Sequence, residues 1–281
     1  MSAVNLELES RSESLVLVRG MLVGVAEFLG FDQELVHSLK TVVSEACNNV
    51  VLHAYNGDPG PLSIRLEIGE DSVEAVVRDW GRGIRETAPS EELMRVGLAV
   101  ISAVADEAQF VRPPGGGTEV RMAFIGRRIR SLDAPAGVDG PRPVAPELKG
   151  DAIATLTPVE LLGGVLARVA SAAAAQARFS LDRFCDVYLV TDAVAAHAAP
   201  SAVSDELRFA VAFRDHRLEL TVGPFRAGSG VELERERGLG ELGSALSLLA
   251  VELAVEPVDG AEMWRLVVLD ENSVTPTVVG A

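Results

Sequence analysis

Cysteine, lysine and aromatic residues are scarce in this chain of 281 residues. It contains two cysteines, Cys47 and Cys185, two lysines, and 13 aromatic side chains. Two cysteines cannot build a disulfide framework or a four-ligand zinc site, so we expect a reducing compartment. Because large aromatic rings are few, the core must be aliphatic and built mainly from Val, Leu and Ala.

Positive charge is also in short supply, since 25 basic residues against 41 acidic ones give a net charge of −16. This balance disfavours direct binding to a nucleic-acid backbone. Hydrophobic residues make up 48% of the chain, which excludes a disordered protein. The first residues are acidic where a signal peptide would be basic, and Arg19 and Glu27 interrupt the most apolar early stretch. We therefore expect a soluble, cytoplasmic protein without a membrane span.

A stretch without apolar periodicity divides the chain. Residues 131–150 contain four prolines and three glycines, which predicts a linker between domains over 1–130 and 151–281. The first half predicts helices over 14–29, 33–53 and 91–104 and strands over 4–9, 62–68, 72–78, 108–112 and 119–125. The second half predicts helices over 160–177, 182–198 and 243–253 and strands over 207–213, 218–222 and 263–269. This repeated order predicts an α+β fold duplicated in tandem.

The second predicted helix carries a polar stripe opposite its apolar one. Glu45 and Asn49 are four residues apart and share one face, together with Thr41, Asn48 and His53. Such a stripe is commonly an ordinary solvated face. Adjacent asparagines inside a helix are unfavourable by a few tenths of a kcal/mol each relative to Ala, which favours a site.

Three glycine motifs follow this helix. Asp79, Gly81 and Gly83 form an Asp-x-Gly-x-Gly sequence directly after a strand, where the backbone must turn or approach a ligand. Gly97 enters a helix whose free N–H groups could receive phosphate. Three glycines precede Thr118 and the last strand of the first half. Taken singly, each motif is typical of a turn or a helix start.

In this order, the four motifs resemble the GHKL ATPase superfamily, and residues 1–130 are similar to the anti-sigma-factor serine kinases. The resemblance rests on the sequences Ser-Glu-Ala-Cys-Asn-Asn-Val-Val-Leu-His-Ala-Tyr (44–55) and Val-Arg-Asp-Trp-Gly-Arg-Gly-Ile (77–84). It implies a two-layer α/β sandwich of the Bergerat type, with a mixed, largely antiparallel sheet and helices on one face.

The resemblance also implies ATP and Mg²⁺ as cofactors. Asn49 matches the residue that ligates Mg²⁺, Glu45 the general base, and Asp79 the carboxylate that accepts a hydrogen bond from the adenine amino group. The other implied nucleotide contacts are Asn48, Gly81, Gly83, Arg95, Gly97 and Thr118, with Arg95 on a lid and Gly97 near the phosphates. Two departures weaken phosphoryl transfer more than binding: Ala99 replaces the usual second glycine, and the segment from Gly83 to Arg95 is short.

The second half departs further from this pattern. Asp192 falls at the place of Glu45, but Ala196 replaces the metal ligand and Pro224 replaces the adenine carboxylate. Gly260-Ala261 stands where the first half has Gly117-Thr118. We expect a nucleotide-free pseudo-domain, which pairs with the first half as an intramolecular pseudo-dimer unless whole chains form a homodimer.

Three functions remain open at this point. The resemblance favours a protein serine kinase that binds a sigma factor and phosphorylates an anti-sigma-factor antagonist. The alternative is a nucleotide-gated binding module of the same fold with little catalysis, which the short lid and Ala99 favour. The catalytic domain of a histidine kinase is the least favoured, because no histidine-bearing dimerisation helix precedes the domain.

Overall fold

The computed structural model describes residues 2–83, 91–127, 129, 147–231 and 252–270, with the backbone alone over 91–95. The first half contains β1 (Ser2–Glu9), α1 (Ser14–Leu29), α2 (Gln33–Asn49), a π-helical segment (Val50–Ala54), β2 (Pro61–Ile68), β3 (Ser72–Asp79), α3 (Glu91–Val104), β4 (Glu107–Val111) and β5 (Glu119–Ile125). The second half contains β6 (Ala152–Thr157), a 3₁₀ turn (Val159–Leu161), α4 (Leu162–Gln176), α5 (Leu181–Ser201), β7 (Leu207–Arg214), β8 (Arg217–Arg226), β9 (Glu252–Val258) and β10 (Ala261–Leu269).

All ten described strands form one sheet in the order β4-β5-β3-β2-β1-β6-β7-β8-β10-β9. Each pair of neighbouring strands is antiparallel. The α+β class with a largely antiparallel sheet is therefore confirmed. Outward from the central β1/β6 pair, the strand order is the same on both sides. We call the two sides the wings of the sheet: β1-β2-β3-β5-β4 is the wing of the first half, and β6-β7-β8-β10-β9 is the wing of the second half.

Local sequence signals explain the elements that position the site. In β1, alternate residues Val4, Leu6 and Leu8 are buried, as the two-residue period of a strand requires. Gly30, in the left-handed conformation at φ 68°, ends α1. Asp32 then caps α2, since its Oδ1 accepts a 2.7 Å hydrogen bond from the backbone N–H of Leu35.

In the described part of the chain, the halves meet at a pair of strands and at a pair of helices. The first is the β1/β6 strand pair, in which Ala3 faces Thr157 and Leu8 faces Ala152. The second is the packing of α1 on α4, where a Cβ at Gly24 would overlap the carbonyl oxygen of Gly164. The two helix backbones therefore touch directly at these glycines, and no larger side chain fits between them.

The structure corrects several predicted boundaries. The α-helical part of α2 ends at Asn49, and the next turn is π-helical rather than a continuation to His53. Strands β6 and β9 have no counterpart among the predicted elements, and Glu252 and Leu253, predicted to end a helix, begin β9. The remainder of that predicted helix, 243–251, lies outside the described residues, as does most of the predicted linker.

One segment of the described chain, Val159–Gln176, is long and apolar enough to cross a membrane by length and composition. It consists of the 3₁₀ turn and α4. More than half of it is buried inside the fold, where α4 packs against α1 and α5. Its apolar character is thus accounted for by internal packing.

Candidate active site

Asp79 ends β3 and is buried, with 2% of its surface exposed. Its Oδ1 accepts a 2.7 Å hydrogen bond from the Gly81 N–H, and the Thr118 side chain also donates to the carboxylate. Burial raises the pKa of Asp79 above its ordinary value, although these hydrogen bonds and the nearby charge of Arg78 act in the opposite direction. A buried carboxylate with remaining acceptor capacity is suited to bind a donor such as an amino group.

Glycine is required where the turn after β3 meets its neighbours. A Cβ at Gly81 would overlap the carbonyl oxygen of Ala54, and a Cβ at Gly117 would overlap that of Asp79. Gly117 also has φ 80°, a conformation that L-residues with a side chain rarely adopt. These contacts hold the Asp79 turn between the π-helical segment and the loop that leads to β5.

Two polar atoms on the helical side of the site lack partners. Asn49 Nδ2 and His53 Nε2 are buried, and neither has a hydrogen-bond partner within the described part of the chain. His53 is one turn beyond Asn49 and lies in the π-helical segment, a distortion often found at functional sites. Buried polar atoms without partners are rare and costly, so both point to a ligand.

These side chains line a pocket that is open to solvent on one side. Its lining residues are Ala46, Asn49, Val50, His53, Ala54, Val77, Asp79, Gly83, Leu98, Thr118 and Val120. The walls are mainly apolar, and the few polar groups converge on the interior. Such a composition suits a flat heterocycle that is held by one or two directed hydrogen bonds.

Glu45 lies at the other end of the site, beneath α3. A Cβ at Gly97 would overlap Glu45 Oε1 and would lie 3.1 Å from Asn49 Nδ2. The backbone of α3 therefore rests directly on the two side chains that the sequence assigned to base and metal ligand. Glycine at position 97 is what permits this close approach.

The position of Gly97 corrects one interpretation. Gly97 lies inside α3, which begins at Glu91, so it does not offer a free helix N-terminus to phosphate. Ala99, expected to crowd the phosphates, is exposed and does not line the pocket. The side chain of Arg95 and the whole segment 84–90 lie outside the described residues.

The structure thus brings some of the assigned residues together and leaves others apart. Asn49, Asp79, Gly83 and Thr118 line one pocket, whereas Asn48 does not. Gly81 supports the pocket from behind through its contact with Ala54. The sequence motifs assign no role to His53, which lines the pocket. Its spacing of four residues from Asn49 places both on one helix face and could have indicated that His53 belongs to the site.

Comparison with known proteins agrees with this geometry. Residues 8–124 match the histidine kinase-like ATPase domain. An anti-sigma F factor of Caldanaerobacter subterraneus is 32% identical over 135 residues, covering 44% of this chain and 94% of that protein. The chain belongs to the GHKL family of anti-sigma-factor kinases.

Two serine-protein kinases are similar to a smaller share of this chain. The serine-protein kinase RsbW of Bacillus cereus is 29% identical over 126 residues, covering 40% of this chain and 79% of that kinase. RsbW of Bacillus velezensis is 38% identical over 79 residues, covering 28% of this chain and 49% of the relative. The family resemblance predicted from the motifs is confirmed.

In the described part of the second half, an aromatic side chain stands at a strand position that corresponds to the pocket lining of the first half. In β8, Pro224 directly follows Gly223, which pairs with Arg208 of β7. In β3, Asp79 directly follows Arg78, which pairs with Ser63 of β2. Pro224 therefore stands at the strand position that Asp79 occupies in the first half. Trp264 faces Val222 at the place where, in the first half, Val120 faces Val77. The fully buried Trp264 ring stacks on Phe225 with centroids 3.9 Å apart. Aromatic side chains therefore fill the space that Val120 leaves open.

Glu262 links the turn after β8 to Trp264. Its carboxylate accepts hydrogen bonds from the N–H of Gly228 at 2.8 Å, from Ser229 Oγ at 2.8 Å and from Trp264 Nε1 at 3.1 Å, and also from the N–H of Gly230. Burial alone would raise the pKa of Glu262, but these four bonds outweigh it and hold the pKa below its usual range.

Replacing Glu262 by Gln is expected to lower the free energy of unfolding by about 1–3 kcal/mol near neutral pH, because a hydrogen-bonded buried carboxylate is lost. Since the folded-state pKa is depressed, the stabilisation is present above the unfolded-state pKa and disappears as the pH falls through the folded-state value. Urea unfolding at several pH values measures this. Glu9→Gln is the control, because the Glu9 carboxylate forms an exposed ion pair with Arg11. Equal losses in both variants at neutral pH would contradict the prediction.

Proposed function

We propose that the first half binds one Mg²⁺–ATP and transfers its phosphate to a serine of an antagonist protein, while the chain regulates transcription by exchanging that antagonist for a sigma factor. The supporting observation is the mainly apolar pocket that is lined by the Asp79 carboxylate and by Asn49 and His53, whose Nδ2 and Nε2 atoms have no partner in the described part of the chain. Membership of a family with kinases and an anti-sigma factor agrees with this function.

The residues fit the proposed cofactors in the following way. The Asp79 carboxylate, oriented by Gly81 and Thr118, would accept a hydrogen bond from the adenine amino group. The Asn49 Oδ1 would offer a hard oxygen ligand suited to Mg²⁺, and its Nδ2, which has no partner in the described part of the chain, could donate a hydrogen bond to a phosphate oxygen. Within the described ranges, no three His, Cys, Asp or Glu side chains could hold a metal by themselves, so Mg²⁺ would depend on the nucleotide phosphates and water.

Glu45 is the proposed general base. It would accept the proton of the attacking serine hydroxyl, and bound Mg²⁺–ATP would supply the phosphoryl group. Gly97 brings the backbone of α3 onto both Glu45 and Asn49, which leaves little room between α3 and these two side chains. That contact supports a second candidate function, a nucleotide-gated binding module in which partner exchange matters more than turnover.

We further propose that residues 151–281 are a degenerate copy of the domain at 1–130, joined to it by the linker at 131–150. The matched strand order on the two wings and the stack of Trp264 on Phe225 at the position of Val120 support this assignment. Through β6 and α4, the copy would occupy the place of a second subunit and form an intramolecular pseudo-dimer. A cytoplasmic location follows from a function in transcription.

Asp79→Asn tests the nucleotide site. We expect ATP affinity to fall at least about tenfold, because a charge-assisted hydrogen bond to adenine is lost. We also expect a higher melting temperature at neutral pH. Since the pKa of Asp79 is raised on folding, ionising this carboxylate opposes folding above its unfolded-state pKa, and Asn removes that cost.

Isothermal titration calorimetry with ATP and Mg²⁺, together with thermal melting, measures both effects. The wild-type chain should bind one ATP. Asp58→Asn, at an exposed turn position, serves as the control and should change neither quantity. Unchanged ATP affinity in Asp79→Asn would locate the adenine site elsewhere.

A further inference from the structure

An exposed tryptophan stands at the tip of the turn after β3. Trp80 exposes 45% of its surface, and the Arg78 guanidinium carbon lies 5.1 Å from its ring centroid. Trp and Arg are the residue types most enriched among the energetic centres of protein interfaces. An aromatic ring held face-on by a cation and left open to solvent is therefore suited to contact a partner.

Two arginines near this turn, Arg82 and Arg112, form no ion pair with the carboxylates that the structure describes. Arg82 Nη2 lies 3.4 Å from the carbonyl oxygen of His53, and Arg112 Nε lies 3.5 Å from where a Cβ of Gly83 would be. Neither has a carboxylate within ion-pair distance in the described ranges. Arg65 and Arg121, by contrast, pair with Glu67 and Glu119. In a chain of net charge −16, this is a local site of attraction for negative charge.

The same turn forms a wall of the pocket, and backbone hydrogen bonds fix it. The Trp80 N–H donates to Tyr55 Oη at 2.8 Å, and the Arg82 N–H donates to the carbonyl oxygen of Ala54 at 3.1 Å. Together with the bond from Gly81 to Asp79, these contacts present Trp80 and Arg82 on a rigid support. Pre-organisation of this kind reduces the entropy lost on binding.

We propose that Trp80, Arg82 and Arg112, here called the rim patch, dock an acidic segment of a partner protein. An apolar side chain of that segment covers the Trp80 ring, and its carboxylates bind the two guanidiniums. The acidic remainder of the chain repels such a segment elsewhere, which directs it to the rim patch. The assignment rests on the proposed function only in that docking here would deliver the partner beside the nucleotide pocket.

Tryptophan fluorescence makes this proposal measurable. The chain has two tryptophans, and Trp264 is fully buried, so acrylamide quenching reports on Trp80. The probes are a short peptide of alternating Glu and Leu and a matched peptide of Lys and Leu, titrated at low salt. We expect the Glu/Leu peptide to protect Trp80 from acrylamide and the Lys/Leu peptide to leave quenching unchanged.

The double variant Arg82→Ala/Arg112→Ala is expected to bind the Glu/Leu peptide at least about tenfold more weakly. Arg65→Ala/Arg121→Ala removes the same charge from paired arginines and serves as the control, with affinity expected to stay within about twofold because exposed ion pairs contribute little. ATP affinity, measured in parallel, should be unchanged in the rim-patch variant.

Absence of protection by the Glu/Leu peptide, equal binding of both peptides, or equal weakening in both double variants would overturn the proposal. The proposal would also be overturned if heparin displaced the Glu/Leu peptide and bound the rim patch more tightly than the peptide does, because the patch would then be a general polyanion site. If the wild-type chain bound no ATP, only the proposed function would be contradicted, because peptide docking is measured separately by the quenching of Trp80.

Discussion

Replacing Glu45 by Gln is expected to slow phosphoryl transfer by about 10²–10⁴-fold while ATP affinity stays within about tenfold. A general base acts on the proton of the attacking hydroxyl and contributes to the transition state more than to nucleotide binding. Gln keeps the size and polarity of the side chain, so α3 can still pack against it through Gly97. Single-turnover transfer of labelled phosphate to the antagonist, with calorimetry for ATP, separates the two quantities.

Asn49→Ala provides the contrast, because it removes the proposed metal ligand and should reduce both ATP affinity and transfer. Asn48→Ala is the matched neighbour: it lies on the same helix but outside the pocket lining, and should change both quantities little. Equal loss of affinity in the Glu45 and Asn49 variants would make Glu45 a structural residue. Undiminished transfer in Glu45→Gln would eliminate it as the base.

Gly164→Ala is expected to destabilise the chain by about 1–3 kcal/mol or more, because the new Cβ would lie 2.6 Å from the carbonyl oxygen of Gly24 on α1. Neither partner in this contact is a flexible side chain, so the two helices must separate. The strand pairing of β1 with β6 depends on the same approach of the two halves. A melting temperature lowered by several degrees is the expected result for a chain of this size.

Gly163→Ala, one residue earlier in α4, is the control for this experiment. Its Cβ would be 3.5 Å from that of Ala195, an ordinary van der Waals distance. Because Ala favours helix by up to about 1 kcal/mol over Gly, this variant should be neutral or more stable. If the two variants melted alike, close packing of α1 on α4 would not hold the halves together. Small-angle scattering of Gly164→Ala would show whether the halves also separate.

The sequence was most informative where its signals are local. The hairpin of β2 and β3 was predicted within a residue at its ends, because both strands alternate and the turn chemistry is strong. The bounds of α3 were also predicted correctly. Asp79 and Asn49 were assigned from motif order, which no single-residue property would have revealed.

Long-range contacts account for what the sequence did not reveal. Strand β6 is short and rich in Ala and Thr, and what makes it a strand is its pairing with β1 about 150 residues away. The contact of Gly97 with Glu45 joins two helices that are far apart in the chain. His53 gains its place in the pocket from a π-helical turn, a distortion for which the local sequence carries no clear signal.

The continuous sheet also limits where another copy of the chain could add a strand. Because β1 is hydrogen-bonded on both sides, the described strands leave only β4 and β9 with an unpaired edge. β4 has five residues, and β9 contains Pro257, which cannot donate a backbone hydrogen bond, and two glutamates, Glu252 and Glu256. Short, charged or proline-containing edges are poor templates for adding another strand. Among the described strands, both edges of the sheet therefore carry a feature that disfavours edge-to-edge pairing with another copy.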